Sequence, residues 1–409
     1  MTSRRRTISR AASVSAVVVG ALATLNGYRP VKKGYLSVPS FIAGMLVTEL
    51  PLQTMTAQAA AIGATWRAQS RRMRWLSATA SAMCFVGLLG LNRIGRQANV
   101  PLAAALDEGL GSGRVSKADS SVKAPGVFRT MRIWHEYAHD ADIAYGEHGS
   151  ANHLDVWSRP RANPDTHAPV LLQIHGGAWS SGNKRGQGHP LMSHLVERGW
   201  VCVSINYRLS PRNTWPDAIV DVKRAIAWVK ANIERYGGDP AFIAITGGSA
   251  GGHLSALAAL TANDPSFQPG FEDADTTVQA AVPFYGVYDF TRSDGVLHPM
   301  MVPFLEKGVM KRLIADAPEV FAAASPITKV SADAPPFFVL HGSNDSFIPV
   351  EQARAFAARL RGVSTSPVVY AELPIAQHAF DIFGSARAEH AAVAAEQFLD
   401  EVRLKWSKD

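Results

Sequence analysis

Cysteine is scarce in this sequence, and acidic residues are almost missing from its first hundred positions. Cys84 and Cys202 are the only cysteines among 409 residues, and their separation gives neither a disulfide framework nor a metal-binding spacing. Residues 1–100 contain 13 Lys or Arg and a single acid, Glu49, whereas the rest of the chain has more acids than bases. Basic charge that lies beside apolar runs is typical of membrane flanks, and it argues against nucleic-acid binding.

Three apolar stretches occupy this basic region, at residues 11–25, 36–52 and 75–91. Each has about 15–17 residues, which is at or just below the length that a spanning helix needs. We interpret residues 1–100 as a helical, membrane-spanning region, which places the protein at the bacterial cytoplasmic membrane. A helical cap on a soluble enzyme is the alternative. Three crossings would put the remainder of the chain on the side opposite the N-terminus, although positive charge on both sides of the second stretch leaves the orientation open.

The first apolar stretch has a further interpretation. Ser3, Arg4 and Arg5 precede it, and this order resembles a twin-arginine export signal. The two later stretches would then need a separate explanation.

Beyond this region we expect a connector at 101–129 and a catalytic domain at 130–409. Strands are predicted by short apolar runs at 131–137, 153–158, 170–174, 201–206, 243–246, 280–284, 337–340 and 368–373. Between the later runs, apolar residues recur at spacings of three and four, as at Ile219, Val222, Ile226 and Val229. Strands that alternate with helices predict an α/β fold with a mostly parallel central sheet covered on both faces.

A glycine-rich turn carries the first chemical signal. Residues 247–252 read Gly-Gly-Ser-Ala-Gly-Gly, directly after a predicted strand and before an apolar helical run. This is the context of a nucleophile elbow, in which small neighbours permit a strained serine at a helix N-terminus. A phosphate-binding loop is disfavoured, because neither Gly-x-Gly-x-x-Gly nor a following lysine is present. Ser249 is therefore the candidate nucleophile.

A glycine pair after an earlier strand supplies the second signal. Gly176 and Gly177 follow His175, at the end of the strand predicted at 170–174. Their N–H groups, with that of Ala250, are the candidate oxyanion hole for a tetrahedral intermediate.

A nucleophilic serine needs a histidine base and an acid that orients it, and in this fold the chain order is serine, acid, histidine. Asp345 follows the strand predicted at 337–340, and His378 follows the one at 368–373, so these two complete the candidate triad. Competing positions fit less well: His341 ends a strand, Asp381 comes after the histidine, and His298 and His390 lie in a cap and a terminal helix. The histidines form no metal motif, so no metal is expected.

Together these motifs, with Tyr-Arg-Leu-Ser-Pro at 207–211, resemble the esterase and lipase branch of the α/β-hydrolases. This branch includes hormone-sensitive-lipase-like and feruloyl-esterase-like enzymes, and the resemblance covers roughly residues 130–405. The full chain is most similar to actinobacterial carboxylesterases with an apolar N-terminal extension. Two positions depart from the hormone-sensitive-lipase pattern: Gly248 stands where an aspartate is usual, and Ala178 where a third glycine is usual.

The resemblance implies hydrolysis of carboxylic esters through an acyl-enzyme on Ser249, with His378 as base and Asp345 as its orienting acid. It also implies that no cofactor takes part. Hydrolysis of amides or formamides, as in kynurenine formamidases, uses the same triad and is the alternative. A dead hydrolase fold that serves as a tethered binding module would need a lost triad member, and none is missing.

Residues 287–330 are predicted to form a cap over the site. Their apolar side chains could line an acyl pocket for lipid-like esters, or could pack a helix onto the core: Phe290, Leu297, Met300, Met301, Phe304 and Leu305.

Overall fold

The computed structural model describes residues 3–111, 122, 124–138, 140–159, 167–291 and 297–407, with the backbone alone at 3–13 and 68. Parts of the predicted connector (112–121 and 123) and of the predicted cap (292–296) lie outside the described residues. So do the side chains of Arg4 and Arg5 in the suggested export signal.

A sheet of eight strands forms the centre of the molecule, in the order β1-β2-β4-β3-β5-β6-β7-β8. The strands are β1 Asp140–Ala144, β2 His153–Trp157, β3 Ala168–Ile174, β4 Val201–Ile205, β5 Gly238–Gly248, β6 Ala280–Phe284, β7 Phe337–Gly342 and β8 Val368–Leu373. Strand β2 pairs antiparallel with β1 and with β4, and every other pairing is parallel. The predicted α/β class with a mostly parallel sheet is confirmed.

Fourteen α-helices occur in the described residues. They are α1 Ser3–Tyr28, α2 Ser37–Glu49, α3 Pro51–Thr65, α4 Arg71–Arg96, α5 Asn99–Leu110, α6 Val127–Thr130, α7 Trp134–Tyr137, α8 His189–Val196, α9 Asp217–Asn232, α10 Ala250–Leu260, α11 Met301–Phe304, α12 Pro318–Ala323, α13 Val350–Val363 and α14 Ala386–Trp406. A π-helical turn, Leu305–Val309, continues α11.

The two faces of the sheet build two separate cores, because successive side chains of a strand point to opposite faces. In β3, Val170 and Leu172 join one core with helices α9, α10 and α13. Leu171 between them joins the other core, with α5, α8 and α14. The continuous apolar runs of the sequence follow from burial on both faces.

The prediction for residues 131–137 is wrong. This segment contains the short helix α7, and the first strand begins only at Asp140. In β1 only the half-buried Ile143 packs against a core, so its polar sequence gives no apolar signal.

Helices α1, α3 and α4 pack side by side through small residues. The hydroxyl of Tyr28 donates to the carbonyl oxygen of Gly87 at 2.7 Å, and a side chain at Gly90 would collide with the same hydroxyl. On α4 the buried face includes Ser77 and Ser81, whereas Val86 is 71% exposed. Small polar residues inside and large apolar residues outside are the packing pattern of helices in lipid.

One helical stretch in the described residues, Arg71–Leu110, is long and apolar enough to cross a membrane, and Val14–Tyr28 is a shorter apolar helix. The last part of the stretch Arg71–Leu110 is α5, which extends into the segment interpreted as a connector. Leu102 and Leu106 of α5 are buried in the second core, so this helix covers the sheet.

Candidate active site

Ser249 lies at the turn between β5 and α10, where a strand ends one residue before it and a helix begins one residue after it. Its backbone has φ +58° and ψ −118°, a region that residues other than glycine rarely adopt. Such strain persists only where the surroundings enforce it, and a nucleophile elbow uses it to expose the serine hydroxyl.

The neighbouring glycines allow this turn because the chain passes close to another strand. A Cβ at Gly251 would lie 2.1 Å from the carbonyl oxygen of Ile174, and one at Gly247 would lie 2.6 Å from the same atom. Neither position has room for a side chain. The glycines of the motif are thus required by the contact between the elbow and β3.

The structure brings Asp345 and His378 together, from loops that follow β7 and β8. Nδ1 of His378 lies 2.6 Å from Oδ2 of Asp345. The other carboxylate oxygen accepts the backbone N–H groups of Phe347 and Ile348, at 2.8 and 2.7 Å. A carboxylate held in this way orients the imidazole with its proton on Nδ1, which leaves Nε2 unprotonated as a base.

The charge of Asp345 is stabilised although the side chain is fully buried. Burial favours the neutral acid, but the neighbouring His378 and His341 outweigh it and lower the pKa of Asp345 below its usual value. Nε2 of His341 lies 3.2 Å from the carboxylate and 3.0 Å from the carbonyl oxygen of Ile348. His341 therefore supports the acid instead of competing with His378.

His378 and Gly248, the residue before Ser249, both lie close to the ring of Tyr285. The ring of Tyr285 is 4.6 Å from that of His378, and a side chain at Gly248 would meet the Tyr285 hydroxyl at 2.5 Å. No hydrogen bond joins the Ser249 hydroxyl to His378 in the part of the chain that the structure describes. Catalytic contacts of this kind often tighten only when substrate is bound.

Of the three predicted oxyanion donors, Gly176 has another partner. Its N–H donates to Oε1 of Gln187 at 2.7 Å. Gly177 has φ +120° and begins a tight turn, and no acceptor for its N–H occurs among the described residues. The N–H of Ala250 is the first of α10, where no partner exists within a helix.

His253 is a residue of this site that the sequence reasoning missed. Nδ1 accepts the indole N–H of Trp179 at 3.1 Å, and Nε2 lies 2.7 Å from the carbonyl oxygen of Ala324. Burial lowers its pKa to about 4, so the ring is neutral at pH 7. His253 thus links α10 to the loop that follows Gly177 and to the segment predicted as a cap. Only its place in the first turn after Ser249 could have drawn attention to it.

The other competing residues have structural partners. Nε2 of His298 lies 3.2 Å from the carbonyl oxygen of Lys32, and Nε2 of His390 lies 3.0 Å from that of Arg96. Asp381 accepts the hydroxyl proton of Tyr285. Burial, the largest effect, raises the pKa of Asp381 although the Tyr285 hydrogen bond opposes it.

The apolar residues suggested for an acyl pocket mostly pack into the protein interior. Four of the six are buried members of the first core: Phe290, Leu297, Met301 and Leu305. Phe290 stacks on His253 at 4.7 Å. These contacts favour core packing for this segment.

The N-terminal helices reach the loops of the acid and the histidine, which the sequence analysis did not predict. The amide of Asn344 donates to the carbonyl oxygen of Gly27 at 3.0 Å, and Nζ of Lys32 donates to that of Ser343 at 2.6 Å. The ring of Phe41 lies 5.5 Å from the imidazole of His378. The region before residue 100 is therefore in direct contact with the candidate site.

Comparison with known proteins identifies the family. The BD-FAE family model matches residues 154–360. The chain is 59% identical over 402 residues to a Mycobacterium tuberculosis protein named "Probable carboxylic ester hydrolase LipM", covering 95% of this chain and 93% of that protein. It is 45% identical over 344 residues to "Esterase LipC" of the same species, covering 82% and 84%.

Among solved structures, the butyrate-bound esterase Est2 of Thermogutta terrifontis shares the fold, with a TM-score of 0.56 and 23% identity. The match covers 70% of this chain and 97% of that one. The chain thus belongs to the BD-FAE family of α/β-hydrolases, and it is a carboxylic ester hydrolase.

Proposed function

We propose that Ser249, His378 and Asp345 form the catalytic triad of this esterase, with Gly177 and Ala250 as its oxyanion donors. The observation that carries the proposal is the 2.6 Å contact between Asp345 and His378, together with the strained elbow at Ser249. The esterase names of the relatives favour esters over the amide alternative.

The reaction proceeds in two halves. His378 takes the proton of the Ser249 hydroxyl as Oγ bonds to the ester carbonyl carbon, and the oxyanion is held by the two N–H groups. His378 then gives the proton to the departing alcohol as its C–O bond breaks. Water attacks the acyl-enzyme, loses a proton to His378 and releases the acid, after which the proton returns to Ser249.

Active-site labelling tests this assignment. A fluorophosphonate probe should label the wild type but not Ser249→Ala, and hydrolysis of p-nitrophenyl esters should fall by at least about 10⁴-fold in that variant. Ser255→Ala is the control, because that buried hydroxyl donates within α10, to the carbonyl oxygen of Gly252 at 3.1 Å. Equal labelling of wild type and Ser249→Ala would refute the triad.

We also propose that α1, α3 and α4 cross the cytoplasmic membrane. The second stretch predicted to span, residues 36–52, forms α2, which packs against the candidate site, so α3 replaces it as the middle crossing. The outward apolar side chains of α4 and the small polar residues buried between the helices support this. The C-terminal ends of α1 and α4 both contact the α/β part of the chain, at Asn344 and at His390. Three crossings would therefore leave the catalytic residues on the side opposite the N-terminus.

Membrane extraction tests this second proposal. Wild-type protein should stay in the membrane fraction at alkaline pH, and Val86→Asp combined with Met83→Asp should reduce that fraction strongly, because a charge in hydrocarbon is costly. Leu404→Asp is the matched control, since Leu404 is exposed on α14. Wild-type protein that is extracted as readily as the double variant would contradict the proposal.

A further inference from the structure

Two phenylalanine rings pack against His378, and one of them comes from the N-terminal helices. Phe41 of α2 and Phe347 of the acid loop stack on each other at 5.8 Å. Each also meets the imidazole of His378, at 5.5 and 5.4 Å, with steep angles between the rings. Both phenylalanines are half-buried, so part of each ring remains accessible.

Two further groups lie against His378. Asp345 binds Nδ1, and the buried ring of Tyr285 lies at 4.6 Å. Phe41 and Phe347 thus offer an apolar surface that a substrate group can meet beside this imidazole.

The chemistry decides which part of the ester reaches this surface. In ester hydrolysis the histidine protonates the departing alcohol oxygen, so the alcohol portion must pass beside His378. The acyl portion is held elsewhere, with its carbonyl oxygen at Gly177 and Ala250. Groups that line the imidazole therefore contact the alcohol and not the acyl chain.

We propose that Phe41 is a specificity-determining residue for the leaving alcohol, and that it favours esters of aromatic or other flat apolar alcohols. This inference rests on the proposed triad. It assigns to the membrane-proximal helix α2 a direct part in substrate choice, in addition to any role in anchoring.

The position of Phe41 is fixed from both ends of its helix. At the first residue of α2, the carbonyl oxygen of Ser37 accepts the hydroxyl of Ser346 at 3.3 Å. At the last residue, the carboxylate of Glu49 forms an ion pair with Arg387. A ring presented by a helix held in this way can discriminate between alcohols, because its backbone cannot move aside without breaking these contacts.

Two ester series separate the alcohol from the acyl chain. With a constant butyryl group, kcat/KM is measured for ethyl, benzyl and naphthylmethyl esters; with a constant ethyl group, it is measured from acetate to octanoate. The full-length protein in detergent is used, and rates are normalised to the sites that the fluorophosphonate titrates. In Phe41→Ala the naphthylmethyl-to-ethyl ratio should fall roughly tenfold, since an aromatic contact is lost.

Matched variants give the test its specificity. Ile42→Ala removes an exposed neighbour on the same helix and should leave the ratio unchanged, whereas Phe41→Trp should keep it high. If Phe41→Ala folds poorly, Phe41→Leu should show an intermediate ratio. An unchanged or raised ratio, or a change confined to the acyl series, would overturn the inference while leaving the triad intact. A wild type that hydrolyses no ester would refute the proposed function itself.

Discussion

The carboxylate of Glu49 and the guanidinium of Arg387 form an ion pair from which water is almost entirely excluded. It joins the end of α2 to the first turn of α14, and the second carboxylate oxygen accepts the hydroxyl of Ser385 at 2.6 Å. The only acid among the first hundred residues is therefore used to hold the N-terminal helices against the catalytic part of the chain. The loop that carries His378 ends at this helix.

Removing one partner of this pair should be costly. Glu49→Gln leaves a buried guanidinium without its counter-charge, and we expect a loss of about 3–5 kcal/mol in the free energy of unfolding. Thermal unfolding in one detergent measures it. Glu108→Gln is the control, because Glu108 pairs with Arg361 at the surface and should cost less than about 1 kcal/mol. Equal effects of the two substitutions would show that the buried pair does not hold the helices.

The geometry of the elbow at Ser249 predicts that alanine has very different effects at two glycines. Gly251→Ala places a methyl group 2.1 Å from the carbonyl oxygen of Ile174, so β3 and α10 must separate. The fluorophosphonate should then titrate no active sites in this variant. Gly362→Ala meets no atom within 4 Å and lies in α13, where alanine should stabilise by up to about 1 kcal/mol. Active Gly251→Ala enzyme would contradict the assigned turn.

Glu389 gives a prediction for the pH dependence of stability. Burial raises its pKa to about 7, and its Oε1 has no hydrogen-bond partner in the described residues. With the folded pKa above the unfolded value, the stability that this group contributes is complete below about pH 4.5 and is lost as the pH rises through 7. Glu389→Gln should therefore gain roughly 3 kcal/mol at pH 8 relative to wild type, and little at pH 4.

Unfolding measured at both pH values checks this. The exposed carboxylate of Glu351, on α13, offers the comparison, and Glu351→Gln should not change the difference between pH 4 and pH 8 in the same manner. A gain of equal size at both pH values would mean that folding does not raise the pKa of Glu389.

His253 should affect turnover more than substrate binding. His253→Phe leaves the indole N–H of Trp179 and the carbonyl oxygen of Ala324 without partners in a buried site, at a cost of about 1–3 kcal/mol for each. Since these contacts hold the oxyanion loop against α10, kcat should fall with little change in KM. A rise in KM at constant kcat would place His253 in substrate binding.

The sequence predicted the elements of the site that depend on local chemistry. Ser249 with its glycines, and the acid and histidine after late strands, follow from the demands of a tight turn and from chain order. The strands at β3, β5 and β7 were predictable because burial on both faces leaves continuous apolar runs. The amide-hydrolase alternative was not separable by these motifs, because the triad is the same.

What the sequence did not predict depends on contacts between distant segments. Nothing in the neighbourhood of Phe41 indicates that it meets His378, since the two lie near opposite ends of the chain. The hydrogen bond from the Gly176 N–H depends on the position of Gln187, and no sequence motif predicts that position. The division at residues 100 and 129 stays a prediction, and α5 shows why composition alone does not locate it: the helix is apolar, as a membrane helix would be, yet it covers the sheet.

The contacts of Asn344 with Gly27 and of Phe41 with His378 also affect when this hydrolase becomes active. The parts that meet there lie near opposite ends of the chain, so the imidazole is enclosed only when nearly all of the chain has been synthesised. We expect an incomplete nascent chain to lack esterase activity. The order of synthesis then limits ester hydrolysis by chains that are still being made.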